Sequence, residues 1–388
     1  MSRTSMTEKV ELANPQERTT SNELKTDTMF VNVGPQHPST HGVLRLGLTL
    51  SGEYIVKAEP EIGYLHRGTE KLCEVRGYHH CVVVTDRWDY VSAMPNNLVF
   101  CLAAEKLMNL EIPARANYLR VIMCELNRIA SHLLFFGTYG IDIGAYTPFL
   151  HAFREREMVL DLFEMVSGAR MTYNYIRLGG VMADLPGGWV EKCKEFLGYF
   201  KQRLPEYDDL LTYNPIFMDR TKNVGLISAE LATNWGLSGP TLRGSGVAYD
   251  ARKADPYCVY DKLDFNVCVG EKGSCWDRYF VRVREMAESI KIVEQCLDAL
   301  PAGDIMAKGV AKMPKPAPGE AYAHVEGSRG DLGIYLVSDG GFNPYRMHVR
   351  APSFINLSIL QEVLVGLKVA DFIAVLGSTD IVLGEVDR

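Results

Sequence analysis

Apolar and polar positions along this chain repeat with two periods, and the period changes from one stretch to the next. Val43–Leu50 and Tyr54–Ala58 are β-rich runs separated by Ser51-Gly52-Glu53, which predicts a hairpin. From Pro113 to Phe136 the residues Leu119, Ile122, Met123, Leu126, Ile129, Leu133 and Leu134 fall on one face of a helix. Thr147-Pro148 reads as an N-cap with proline in the first helical position, opening a helix that runs to Val166 and stops at Gly168. Further helices fit Gly188–Leu211 and Asp277–Leu300. Together these predict a bundle of four or so long antiparallel helices.

The flanks differ from this centre. Glu59–Asp89 shows no clear periodicity and carries several histidines. Residues 301–319 form a Pro- and Gly-rich connection, and 320–350 alternate around Gly327, Gly330, Gly333 and Gly340-Gly341, which predicts a small antiparallel sheet. A last helix is expected over Leu357–Leu376. The fold class is therefore α+β, a helical centre with β elements at both ends. The divisions are a polar tail over 1–28, a β-rich segment over 29–92, the helical core over 93–300, the connection over 301–319 and a C-terminal segment over 320–388.

Composition narrows the function classes. The 47% hydrophobic share is enough for a sizeable core, so disorder is expected only at the ends. A net charge of −7 excludes a general nucleic-acid role, which needs a basic face against phosphates. The longest apolar stretch, Val363–Leu376, is interrupted by Gly366, Lys368 and Asp371 and cannot span a bilayer. The first residues mix Glu8, Glu11, Glu17 and Glu23 with Lys and Arg, unlike a secretory signal or an acid-poor transit peptide. The expected location is a cytoplasmic interior, with membrane contact only through partners. Nine cysteines, none in a C-x-x-C pair, read as reduced thiols rather than a disulfide framework or zinc site.

Four clusters could carry chemistry. Gly34-Pro-Gln-His-Pro-Ser-Thr-His-Gly42 sets His37 and His41 in a shaped loop entering a strand, where the bland reading is histidines that cap turns. Tyr64-Leu-His-Arg-Gly-Thr-Glu-Lys71 reads as a charged turn starting a helix, with Glu70 favoured by the helix dipole. Asp86-Arg-Trp-Asp-Tyr90 crowds two acids, a cation and two aromatics, which an exposed strand end would equally explain. Asp142 is a lone acid in the apolar, glycine-flanked loop Tyr139–Ala145, so a partner such as a histidine is expected for it. The run His151–Glu157 reads as a helix surface with ion pairs. Gly244-Ser-Gly246 and Gly327-Ser-Arg-Gly-Asp-Leu-Gly333 lack the spacing of a dinucleotide fingerprint.

Taken together, GPQHPSTHGVLR (34–45), IGYLHRGTEK (62–71), DRWDYVS (86–92), TPFLHAFRERE (147–157), YIRLGGV (175–181), PYRMHVRAPSF (344–354) and DIVLGEVDR (380–388) resemble the 49 kDa, quinone-site subunit of complex I-like respiratory oxidoreductases. The likeness runs from about residue 29 to the end. It implies the fold of nickel–iron hydrogenase large subunits, whose metal is held by one C-x-x-C pair near each chain end. Here those positions fall on Asp89 and Ser92, and on Val382 and Glu385 followed by Arg388. Soft thiolates are absent and valine coordinates nothing, so no metal is expected.

What the resemblance implies instead is a cavity between the chain ends where quinone is reduced to quinol. His41 and Tyr90 match the pair that donates to the quinone headgroup, Asp142 the acid that holds the histidine, and Arg67 the cation beside a partner's [4Fe-4S] cluster. Thr172 stands where many relatives carry a histidine near that cluster. The implied partners are the iron–sulfur subunit (20 kDa, B type), a 30 kDa C-type subunit and an H-type membrane subunit at the quinone entrance. The implied enzyme is a proton-pumping NADH:quinone oxidoreductase, active only as a complex on the cytoplasmic side of the inner membrane; the electron donor and the quinone stay open. Two other readings compete: a hydrogenase large-subunit homologue acting in hydrogen metabolism, and a non-catalytic assembly scaffold.

Overall fold

The computed structural model describes residues 27–388, so all but the last two residues of the predicted polar tail lie outside the described region. At the N-terminal end, β1 (Met29–Val33), β2 (Arg45–Ser51) and β3 (Tyr54–Glu61) form an antiparallel sheet in that order. The predicted hairpin is its β2–β3 pair, with Ser51 opposite Tyr54. Two short helices follow in the stretch without periodicity, α1 (Thr69–Glu74) and α2 (Tyr78–Thr85). Residues 86–92 then form a largely buried turn rather than an exposed strand end: Asp86, Trp88 and Asp89 are all buried.

The centre consists of α3 (Ala93–Met108), α4 (Ala114–Asp142), α5 (Thr147–Ser167), α6 (Trp189–Tyr207) and α7 (Cys275–Asp298). Helix α4 corrects the expectation for Asp142. It runs past Phe136, so Asp142 is its last residue and not part of a loop. Gly137 does not stop the helix but lets α5 approach it: a methyl group there would lie 3.0 Å from the Phe149 Cα. Because α4 is buried almost all round, it forms the axis of the bundle. Helix α6 ends at Tyr207 and passes into a wider π-turn over Asp208–Thr212, short of the simple end expected at Leu211. Glu155 on α5 is also buried, accepting hydrogen bonds from Tyr199 and Tyr207, so the 147–157 segment is more than a solvated face.

The predicted C-terminal sheet is β4 (Gly319–Glu326), β5 (Asp331–Ser338) and β6 (Arg346–Arg350), antiparallel throughout. The single helix expected over 357–376 is instead broken into α8 (Pro352–Ser358), α9 (Leu360–Val363) and α10 (Val369–Thr379), with α11 (Leu383–Asp387) after it. The break has a cause. Gly366 takes φ 83°, and the chain there hydrogen-bonds along β3, with Gly366 N donating to Ile55 O and Ile55 N to Leu367 O. One apolar core then joins the chain ends, uniting Leu44, Leu46, Leu48 and Ile55 with Leu360, Phe372, Leu376, Leu383 and Val386. A larger core fills the inside of the bundle and extends to Leu332, Ile334 and Val349 of the C-terminal sheet.

Candidate functional site

The site forms where the joined chain ends meet the end of α4. His41 sits in the loop before β2 with φ 53°, a backbone region that non-glycine residues seldom occupy and that recurs at functional sites. This turns its ring toward α4, where Nε2 lies 2.6 Å from Asp142 Oδ2. The two side chains keep only 17% and 10% of their surface exposed, so solvent screens the pair little. Burial pulls the His41 pKa down, but the hydrogen bond and charge of Asp142, helped by Asp380, outweigh it, and the net result lies above the ordinary value of 6.5.

Tyr90 lies in the buried turn after α2. Burial raises its pKa and Asp89 adds to this, while the charges of Arg329 and Arg67 oppose it. The phenol therefore stays protonated at neutral pH and can donate. The C-terminal peptide connects the two candidate donors. A methyl group on Gly42, beside His41, would lie 2.9 Å from Leu383 Cδ1. One on Gly384 would lie 2.5 Å from Trp88 O and 3.2 Å from Tyr90 Cδ1. The His41 loop and the Tyr90 turn thus pack against successive residues of the same short helix.

Beneath them is a buried charge cluster that sequence reasoning missed. Arg329, in the turn between β4 and β5, donates to Asp89 Oδ2 at 2.9 Å and to Asp380 Oδ1 at 3.2 Å, and also bonds Ser131. Its neighbour Ser328 shares a 2.7 Å hydrogen bond with Ser92. Arg282 on α7 faces Asp380 at 3.5 Å and stacks over the Phe135 ring. The two carboxylates of Asp89 and Asp380 and the two guanidinium groups of Arg329 and Arg282 balance in formal charge there, as buried charge requires. Glu385 is different: burial, reinforced by Asp89, pushes its carboxyl up to about 7, and the Ser353 amide donates to it at 3.0 Å. The only sequence sign of Arg329 was a cation between two glycines in a strand-to-strand turn.

Of the two position pairs compared above, Asp89 and Glu385 act on each other electrostatically here. Asp89 and Ser92 are tied to the 328–329 turn, while the amide of Val382 donates to Ser353 Oγ at 3.4 Å. A guanidinium occupies the carboxylate of Asp89, and Val382 offers no ligand atom. Among the described residues, no group of three or more His, Cys, Asp or Glu side chains is arranged to hold a metal. Arg67 is exposed and donates to Arg87 O at 2.7 Å, which places its charge near Tyr90. Thr172 lies in the loop after α5, with φ 51°. A cavity of about 360 Å³ opens beside His66, Glu70 and Arg388 and is lined also by Val386 and Asp387 of α11, and another of about 510 Å³ lies between α2 and residues 306–312; neither is lined by His41 or Tyr90. No helix among the described residues is long and apolar enough to cross a membrane.

Comparison with known proteins shows which family the chain belongs to. The family model for the 49 kDa subunit of respiratory-chain NADH dehydrogenase matches residues 142–317 and 308–388. The D-type subunit of NADH-quinone oxidoreductase from Desulforamulus reducens is 54% identical over 364 residues, covering 94% of this chain and 99% of the relative. The D-type subunits of the same oxidoreductase from Bacillus mycoides and Carboxydothermus hydrogenoformans are 53% and 52% identical, each covering 94% of this chain and 100% of the relative. With likeness of this extent along nearly the whole chain, it belongs to the family of 49 kDa subunits of respiratory-chain NADH dehydrogenase.

Proposed function

We propose that this chain forms the quinone-reducing site of a proton-pumping, complex I-like oxidoreductase, on a scaffold shared with nickel–iron hydrogenase large subunits. Quinone takes up two electrons and two protons to become quinol, so each carbonyl oxygen needs a proton donor. His41 supplies one from its Asp142-stabilised imidazolium, and Tyr90 supplies the other from its phenol. Loss of the His41 proton leaves the Asp142 carboxylate less compensated, and that change of charge at the end of α4 is the signal passed toward the pumping subunits.

A [4Fe-4S] cluster held by the B-type iron–sulfur partner would supply the electrons, and the exposed Arg67 of this chain would set a cation beside it that raises its potential. The C-type and membrane H-type subunits complete the setting, which puts the chain peripherally on the cytoplasmic side of the inner membrane.

The observation that carries this reading is the 2.6 Å His41–Asp142 pair, with the loop that carries His41 and the turn that carries Tyr90 packed against one C-terminal helix. A scaffold needs no such pair, and a hydrogenase needs thiolates where this chain has Asp89, Ser92, Val382 and Glu385. The test is Tyr90→Phe in the assembled complex. Quinone reduction should fall tenfold or more with assembly intact, the usual effect of removing a positioned proton donor. Full activity in that variant would sink the proposal.

A further inference from the structure

We propose that Arg329 is a positioning residue of this site: its guanidinium, clamped between Asp89 and Asp380, fixes the turn carrying Tyr90 to the segment after α10 and sets one positive charge facing both Tyr90 and His41. The proposal rests on the quinone-site reading and deepens it.

The geometry is specific to a forked cation. Nη1 bonds Asp89 and Ser131, Nη2 bonds Asp380, and Nε donates to the Asp380 carbonyl at 3.3 Å. Four acceptors from three separate parts of the chain converge on one planar group, which a lysine ammonium cannot reproduce. Asp89 immediately precedes Tyr90, and Asp380 lies three residues before Leu383, against which the His41 loop packs. The turn itself is anchored, because Asn356 donates to Arg329 O at 3.1 Å and Ser328 bonds Ser92. Movement of the guanidinium would therefore shift both candidate donors together.

Its charge acts in the same place. His41 is faced by Asp142 from the end of α4, by Asp380 from the segment after α10 and by Arg329 from the β4–β5 turn. Tyr90 is faced by Asp89 in its own turn, by Arg329 and by Arg67 from the segment before α1. Arg329 lowers the proton affinity of both groups, so it poises them to release protons to an acceptor.

The test measures quinone reduction by the assembled complex as a function of pH and quinone concentration. In Arg329→Gln, kcat should fall about tenfold or more, as misplaced reacting groups do. The pH profile should move to higher pH by on the order of one unit, because a nearby cation no longer opposes protonation. In Arg329→Lys the charge returns without the fork, so the profile should revert while kcat stays low.

A normal kcat in Arg329→Lys, or an unmoved profile in an assembled Arg329→Gln complex, would overturn the proposal. Failure of both variants to assemble would assign Arg329 to folding alone and also overturn it. The parent reading fails separately: Tyr90→Phe with full activity refutes the quinone site, whereas an inactive Tyr90→Phe beside a normal Arg329→Gln refutes only the clamp.

Discussion

Replacing Asp142 by asparagine removes one charge from the site while keeping the shape of the side chain. The amide oxygen can still accept a hydrogen bond from His41 Nε2, now 2.6 Å from Asp142 Oδ2, so the loss is the charge-assisted part of that bond. Hydrogen bonds to charged groups contribute about 1.5–3 kcal/mol and neutral ones about 0.5–1.5, a difference of roughly 1–1.5 kcal/mol. At about 1.4 kcal/mol per unit, the His41 pKa should drop by about one unit. Burial then counts for more against the weakened bond and lowers the imidazole pKa from its raised value, with Asp380 still raising and Arg329 still lowering. The assay is quinone reduction by the assembled complex across the histidine titration range. The alkaline limb should move about one unit toward acid, with severalfold loss at slightly alkaline pH and recovery in acid. Stability should follow with a defined sign. Because the folded pKa of His41 is raised, its contribution is complete below 6.5 and is lost as pH rises through the folded value. The melting temperatures of wild type and Asp142→Asn should therefore differ most in acid and converge in alkali. An unshifted alkaline limb would refute the claim that Asp142 holds the His41 proton.

Two further outcomes follow from the C-terminal peptide. Gly384→Ala would drive a methyl group to 2.5 Å from Trp88 O and 2.9 Å from Arg87 O, so the short helix must move off the Tyr90 turn. A loss of about 1–3 kcal/mol in thermal or denaturant unfolding is expected, with reduced quinone reduction; an unchanged variant would show that this contact positions nothing. Glu385→Gln should stabilise the protein near neutral pH, since the buried carboxyl titrates at about 7 against an ordinary 4.5. An acid that is harder to ionise when folded weakens the fold as pH rises from 4.5 toward 7, by roughly 1.4 kcal/mol per unit. The advantage of the glutamine variant should therefore grow over that window in unfolding measurements and vanish in acid. A constant difference would contradict it.

What could be read from the sequence, and what could not, divides by the distance over which each interaction acts along the chain. The β2–β3 hairpin, the axial helix and the C-terminal sheet are set by neighbours a few residues apart, so periodicity and turn residues sufficed. The need of Asp142 for a partner was visible because an apolar setting makes a lone carboxylate costly, although His41 lies 101 positions away. The end of that helix was misjudged for the opposite reason. Its apolar spacing is clear only as far as Phe136, and the glycine that follows answers to the close approach of α5, a tertiary contact that local propensity cannot register. The last helix failed likewise: its apolar spacing is helical, yet backbone pairing with β3 captures Gly366 and Leu367 and breaks it. Asp86–Tyr90 was hardest, because acids beside aromatics look the same on a surface as in a core. Asp89 is made tolerable inside by Arg329, 240 positions later, and neither residue reveals the other in sequence. Charges buried in this way are also the ones whose substitution leaves an unpaired partner behind, so the least legible residues of the site are those whose single replacement should perturb it most.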